Sequence, residues 1–158
     1  SHITAAKGTD TTIFLEILSG PYLVQPADEA FDGGERPINV EARNLMWLSA
    51  ADAEWVGDAG PQVAYLWGKV AAGETHGSFL KLPPGYAGTL STKAPLLRVV
   101  TTQGSTEVAL SGQKASQRLE PGSYFASKGE AAHSVSCVGD GDCILYVHAE
   151  GKYGVAAR

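Results

Sequence analysis

The chain has 158 residues, a formal net charge of −5, 44% hydrophobic residues and 18% charged residues, a balance typical of one soluble globular domain with a sizeable core. Lysine and arginine form no cluster, which argues against nucleic-acid or anionic-membrane partners because both need a basic surface. No apolar run approaches the roughly 20 residues that a membrane-spanning helix needs.

The first 43 residues are predicted to form an N-terminal extension with one or two strands. Ser1 and His2 stand where an initiator methionine is expected and are typical of an expression scar, so His2 is left out of every site. Residues 13–18 and 39–41 are the strand candidates, with proline and glycine breakers between them. Ser49, followed three residues later by Asp52, predicts a single helical turn at most.

From residue 62 onward, short apolar or alternating segments recur every 8–12 residues or so, without helical periodicity between them. The predicted strands are 62–67, 78–82, 96–102, 106–110, 117–119, 124–125, 132–137 and 143–148. This spacing predicts an all-β sandwich or barrel.

Two Pro-Gly turns organise this region. Pro84-Gly85 and Pro121-Gly122 each follow a strand-like segment, and each leads into a further one. The repetition predicts two matched halves of one β-domain.

Cys137 and Cys143 flank a short turn that contains Asp140 and Asp142. Their approach across the turn favours a disulfide, which needs an oxidising compartment; two small apolar residues packed side by side are the alternative. The pair and the low charge together favour a periplasmic or secreted protein, with a cytoplasmic location as the alternative. The two aspartates are better explained by the turn than by a calcium loop.

These segments resemble the cupin superfamily, whose RmlC-like members are jelly rolls. The resemblance covers about residues 44–155 and is carried by residues 66–68, 77–86, 98–104, 119–124, 133, 137 and 143–147. Within the superfamily the sequence is similar to a branch of cupin domains of unknown function related to anti-sigma-factor-type cupins. The resemblance implies a double-stranded β-helix, a jelly-roll barrel, over residues 44–158. It also implies a homodimer, as cupins commonly pair through added strands such as the one predicted at 13–18.

The resemblance also implies a metal site. Its first motif normally supplies two histidines one residue apart and a glutamate, and its second motif supplies one more histidine. Ser91, Lys93 and Leu97 occupy the first three positions here, and only His133 matches. One histidine cannot hold a catalytic divalent ion. We therefore predict a degenerate metal site with no metal cofactor at the family position.

His133 has two interpretations. It could act as a general acid or base, or it could be a core histidine bonded to a neighbouring hydroxyl group. Lys93 either binds an anionic ligand or lies in a solvated loop. Arg98 either holds a ligand carboxylate inside the barrel or pairs with Glu107 on the next strand.

Ser91, Tyr86, Tyr124 and Tyr146 complete the candidate ligand-binding residues. The tyrosines, with Trp67, could line an apolar pocket. The alternative is that they are ordinary core residues.

His148 shares a strand face with Tyr146 because alternate residues of a strand point the same way. If that face is inward, His148 and His133 could meet and form a two-histidine site. His76, between Thr75 and Gly77, is predicted to be a surface loop residue.

Three functions stay open at this level. The first is a metal-free cupin that binds a small organic ligand, possibly an anion, in its barrel. The second is an enzyme on a small metabolite that uses His133 or an atypical metal site. The third is a structural or interaction protein with a filled pocket.

Overall fold

A computed structural model of the chain describes residues 13, 15–17, 25–29, 34, 38, 40–58 and 60–158. Its compact units are Ser1–Pro37 and Ile38–Arg158. In the first unit, Ala27–Glu29 forms a 3-10 helical turn. No helix among the residues described is long and apolar enough to cross a membrane.

The predicted N-terminal strands are not found in the residues that can be compared. Residues 13 and 15–17 belong to no strand, and neither do residues 40–41; residues 14, 18 and 39 lie outside the described part of the chain. The prediction is wrong for the described positions because a short apolar run fits several extended conformations. The homodimer that the resemblance implies stays a prediction.

The second unit begins with a 3-10 turn, Ala42–Asn44. A single helical turn follows at Ser49, whose carbonyl oxygen accepts the backbone N–H of Ala53 at 3.0 Å. The Asp52 carboxylate accepts the Ser49 backbone N–H at 3.4 Å, as in a capping box. The predicted single turn at this position is confirmed.

The rest of the second unit is built from short strands. They are β1 (Gln62–Gly68), β2 (Thr75–Leu82), β3 (Ala87–Thr92), β4 (Leu97–Gln103), β5 (Thr106–Ala109), β6 (Gln117–Leu119), β7 (Tyr124–Ser127), β8 (Ala131–Cys137), β9 (Cys143–Glu150) and β10 (Tyr153–Ala157). The first sheet has the order β1-β2-β9-β4-β7 and the second has the order β10-β3-β8-β5-β6. All pairs within the sheets are antiparallel. The predicted all-β jelly roll is confirmed.

β10 was not predicted, and β3 was expected only as the continuation of the first Pro-Gly turn. β10 contains a glycine and two alanines, so its sequence has little β-propensity. It forms because it pairs with β3 along its whole length, from Tyr153 opposite Thr92 to Ala157 opposite Gly88.

The core lies between the two sheets. Leu80, Val99 and Leu145 face inward from the first sheet, and Leu90 and Val135 face inward from the second; none is more than 1% exposed. Residues between them along each strand face outward, because side chains alternate across a strand. Each fully buried leucine or valine contributes about 1.5–3 kcal/mol by leaving water.

The two Pro-Gly turns have the same geometry. The N–H of Tyr86 donates to the carbonyl of Pro83 at 3.1 Å, and the N–H of Ser123 donates to that of Glu120 at 2.9 Å. Gly85 and Gly122 occupy the third turn position with φ of 72° and 90°. A type II turn requires this left-handed conformation, which glycine adopts without strain.

Cys137 and Cys143 form a disulfide that joins the end of β8 to the start of β9, with a Cα–Cα distance of 5.6 Å. Both cysteines are buried. The predicted disulfide is confirmed, and it is compatible with an oxidising compartment. Export of the protein stays a prediction.

We expect the double substitution Cys137→Ser with Cys143→Ser to lower the free energy of unfolding by about 2 kcal/mol, the value for closing so short a loop in the unfolded chain. Urea unfolding of both proteins measures the difference. A reducing agent should destabilise the wild type to the same extent and leave the variant unchanged. Equal stability of the oxidised wild type and the variant would contradict the expectation.

Candidate functional site

His133 lies inside the barrel on β8 and is 2% exposed. Its Nδ1 accepts the backbone N–H of Ser111 at 3.1 Å. Its Nε2 lies 2.9 Å from the hydroxyl oxygen of Ser127, and its ring packs edge-on against Phe125. Both ring nitrogens therefore have partners.

These contacts fix the tautomer of His133. Because Nδ1 accepts a hydrogen bond, the single proton of the neutral ring sits on Nε2 and is donated to Ser127. A histidine that activates a serine needs the opposite arrangement, with an unprotonated nitrogen facing the hydroxyl. Burial also lowers the pKa of His133 below its ordinary value of 6.5. The arrangement is that of a core histidine bonded to a hydroxyl group, which is the structural interpretation of the sequence.

The metal-motif positions of β3 and the loop after it do not face the barrel interior. Ser91 is exposed on the outer face of the second sheet, and Lys93 is exposed beyond the end of the strand. The inward residues at this place are Leu90 and Thr92. Placing Ser91 in the barrel was wrong, because a shift of one residue moves a strand side chain to the other face.

The donor set inside the barrel does not fit a divalent metal. Leu90 and Leu97 offer no ligand atom, and Thr92 already donates its hydroxyl to the Lys152 carbonyl at 3.1 Å. His133 uses both of its nitrogens. Among the described residues, no three His, Cys, Asp or Glu side chains converge. We derive no metal chemistry from this position.

Arg98 does not reach the interior. It is exposed on β4, between the buried residues Leu97 and Val99. It lies opposite His148 of β9 on the outer face of the first sheet. Glu107 is exposed on β5 of the second sheet. Both sequence interpretations of Arg98 are therefore wrong, since its strand presents it outward and its expected partner lies on the other sheet.

The three candidate tyrosines lie in three different places and line no common pocket. Tyr124 is 55% exposed and Tyr146 is 3% exposed. The hydroxyl of Tyr146 accepts the indole N–H of Trp67 at 3.2 Å on the outer face of the first sheet. Tyr86 directly precedes β3 and so lies at the barrel end where β3 begins. Ser91 and Lys93 lie at the other end of that strand. The buried hydroxyl of Tyr86 has no hydrogen-bond partner among the described residues.

The histidines are also placed differently from the sequence interpretation. His148 packs edge-on against Trp67 on the outer face of the first sheet, so it does not meet His133. His76 is a fully buried residue of β2, not a loop residue. Its Nε2 donates to the carbonyl oxygen of Gly151 at 2.9 Å.

An open groove of about 560 Å³ lies at one rim of the barrel. We call it the rim groove. It is lined by the residues at the ends of β3, β8 and β10 and the loops beside them: Ala72, Gly73, Ser91, Thr92, Lys93, Ala94, Pro95, Ser111, Glu130, Ala131, Ala132, Glu150, Gly151, Lys152, Tyr153 and Gly154. Of the residues selected from the sequence, the structure brings Ser91 and Lys93 together here.

The lining of the rim groove is mostly apolar, with alanine and proline residues among it. Its charged residues are Lys93, Glu130, Glu150 and Lys152. Lys93 lies 3.9 Å from Glu130, and both side chains are largely exposed. Lys152 is exposed as well. Sequence reasoning missed Lys152 and Tyr153, because the turn before β10 carries no motif.

We expect Ser127→Ala to lower the free energy of unfolding by about 1–3 kcal/mol, because it removes the acceptor of the buried Nε2–H of His133. Chemical denaturation measures the effect. Ser134→Ala, on the outer face of β8 next to His133, is the matched control and should change stability by less than about 0.5 kcal/mol. Equal effects of the two substitutions would show that the Ser127–His133 bond has no special importance.

We expect Tyr86→Phe to leave stability unchanged or to raise it by up to about 1 kcal/mol, since it deletes a buried hydroxyl group that has no partner. Thermal and urea unfolding provide the measurement. A loss of more than about 1 kcal/mol would mean that this hydroxyl has a hydrogen-bond partner in solution, such as a bound water.

Solved structures share this fold at low sequence identity. The polyketide cyclase RemF from Streptomyces resistomycificus gives a TM-score of 0.58 at 13% identity, with 75% of this chain and 83% of that chain covered. KdgF from Halomonas sp. gives 0.54 at 17% identity, with 71% and 94% covered. An RmlC-like cupin from Ralstonia eutropha JMP134 gives 0.54 at 17% identity, with 72% and 68% covered. These likenesses establish the cupin fold and nothing about activity.

No curated protein matches the chain. The narrower resemblance to anti-sigma-factor-type cupins stays a prediction. The family described as a domain of unknown function, DUF4437, matches residues 1–156, which is nearly the whole chain and includes the N-terminal extension. The chain is a cupin-fold protein and belongs to the DUF4437 family.

Proposed function

We propose that this protein is a metal-independent binding module for a small organic anion, and that the ligand binds in the rim groove. The observation that carries the proposal is the groove itself, which combines a mostly apolar lining with two exposed lysines, Lys93 and Lys152. Small-molecule sites are usually concave and mostly apolar, with a few polar groups that orient the ligand.

The side chains that fill the barrel interior also favour a ligand site in the rim groove. Leu90, Leu97 and His133 fill the region where the resemblance implies a metal and its substrate, and each is buried. A ligand placed there would have to displace core side chains, which costs several kcal/mol. The rim groove is already open.

The charged residues that line the groove indicate which class of ligand it would bind. Lys93 and Lys152 offer ammonium groups to a carboxylate or a similar anion. Glu130 and Glu150 also line the groove, so they disfavour ligands with several negative charges. A monoanion with an apolar body fits this combination best.

Binding of phenylacetate, 2-phenylethanol and phenethylamine tests the proposal, because the three probes share a ring and differ in charge. We expect the carboxylate to bind best by isothermal titration calorimetry at low salt. Lys93→Ala and Lys152→Ala should each weaken its binding by about fivefold, because exposed charge pairs are modest in strength.

Lys81→Ala provides the control, since Lys81 lies over the ring of Trp47 and outside the rim groove. It should leave the affinity for phenylacetate unchanged. The proposal fails if none of the three probes binds, or if the Lys93 and Lys152 variants bind phenylacetate as tightly as the wild type. The first of these outcomes would favour a structural or interaction role for a filled barrel.

A further inference from the structure

The turn between β9 and β10 forms one wall of the rim groove. Glu150, Gly151, Lys152 and Tyr153 all line the groove. Thr92 of β3 holds this turn by donating its hydroxyl to the Lys152 carbonyl at 3.1 Å. Two further contacts come from residues of β2, His76 and Ser78.

The first contact is a hydrogen bond from His76 to the turn. His76 is 0% exposed, and its Nε2 lies 2.9 Å from the carbonyl oxygen of Gly151. Since a carbonyl only accepts, Nε2 carries the proton of the neutral ring. Nδ1 is then unprotonated, and it has no hydrogen-bond partner among the described residues.

The second contact runs through Tyr153, at the end of the turn. Its ring stacks on the ring of His76 with centroids 5.7 Å apart, and its hydroxyl bonds to that of Ser78 at 2.8 Å. Trp55 packs edge-on against the same tyrosine at 4.7 Å. His76 and Tyr153 thus form one packed unit beneath the groove.

We propose that His76 is a proton-controlled latch, which holds the β9–β10 turn in place at neutral pH and releases it in acid. As a mechanism for regulating the groove, this inference rests on the proposed function. The latch itself concerns only the conformation of the turn.

Protonation of His76 would place a second N–H on Nδ1, where no described residue can accept it. The groups that face the ring do not compensate the charge. Tyr153 stays neutral because burial raises its pKa. A charge on His148 of β9 would repel that on His76, and burial together with this neighbour lowers the pKa of His76.

The turn itself carries Glu150 and Lys152, of opposite charge. The protonated ring therefore reaches stable hydration only by moving to solvent. That movement breaks the bond to Gly151 and the stack on Tyr153. As the pH falls below the ordinary histidine value of 6.5, protonation increasingly favours the open turn over the closed one.

Amide hydrogen exchange of the full chain at pH 7.5 and pH 5.0, corrected for intrinsic exchange rates, tests the latch without any ligand. We expect the amides of residues 151–154 to exchange at least about tenfold faster at pH 5.0. The amides of Val99 and Val147, which are 0% exposed in the first sheet, should keep their protection. In His76→Gln, a non-titrating donor, the pH response of the turn should disappear.

His148→Gln is the matched control and should retain the response. The latch is overturned if the wild-type turn shows no corrected pH response, if the response survives in His76→Gln, or if it is lost in His148→Gln. Should His76→Gln not fold, the ring of His76 can be titrated by NMR in the wild type. Its midpoint must agree with that of the turn amides, and a difference of more than one pH unit overturns the latch.

Phenylacetate binding at the two pH values separates this inference from the proposed function. If the probe binds, its affinity should fall at pH 5.0 in the wild type and not in His76→Gln; an equal loss in both proteins would overturn the regulatory role. If the probe binds at neither pH, the proposed function fails, and with it the regulatory role, while the exchange data still decide the latch.

Discussion

The fold depends on the burial of the inward faces of two antiparallel sheets against each other. Leu80, Leu90, Val99, Val135 and Leu145 meet there, and each is almost completely removed from water. Because side chains alternate along a strand, this packing also fixes which residues face outward. The placement of nearly every candidate functional residue follows from that single constraint.

The same constraint explains why the residues at the metal position implied by the cupin resemblance are unsuitable as metal ligands. The alternation turns Leu90 and Thr92 inward and leaves Ser91 and Arg98 outside. The one histidine that stays inside, His133, is bonded at both nitrogens to the protein itself. Of the candidate residues, the charged Lys93 lies beyond the end of β3, where the chain is exposed to solvent.

Two buried histidines, His133 and His76, differ in how many of their ring nitrogens have a hydrogen-bond partner. His133 has a partner for each ring nitrogen, and such a group makes the packing around it specific. His76 has only one hydrogen-bond partner among the described residues, although it is fully buried. An unsatisfied buried base is sensitive to protonation. This difference is why we propose a conformational role for His76 and not for His133.

The sequence by itself determined the all-β class, the two Pro-Gly turns and the disulfide, because strand spacing, Pro-Gly pairs and a cysteine pair across a turn are local signals. The jelly roll was implied by the resemblance to cupins. Only the tertiary structure decided the facing of Ser91 and Arg98, the burial of His76 and the existence of β10. Those depend on register and on pairing between residues far apart in the chain, and β10 forms only because β3 lies beside it. The rim groove belongs to the same class, since five separate segments of the chain meet to line it.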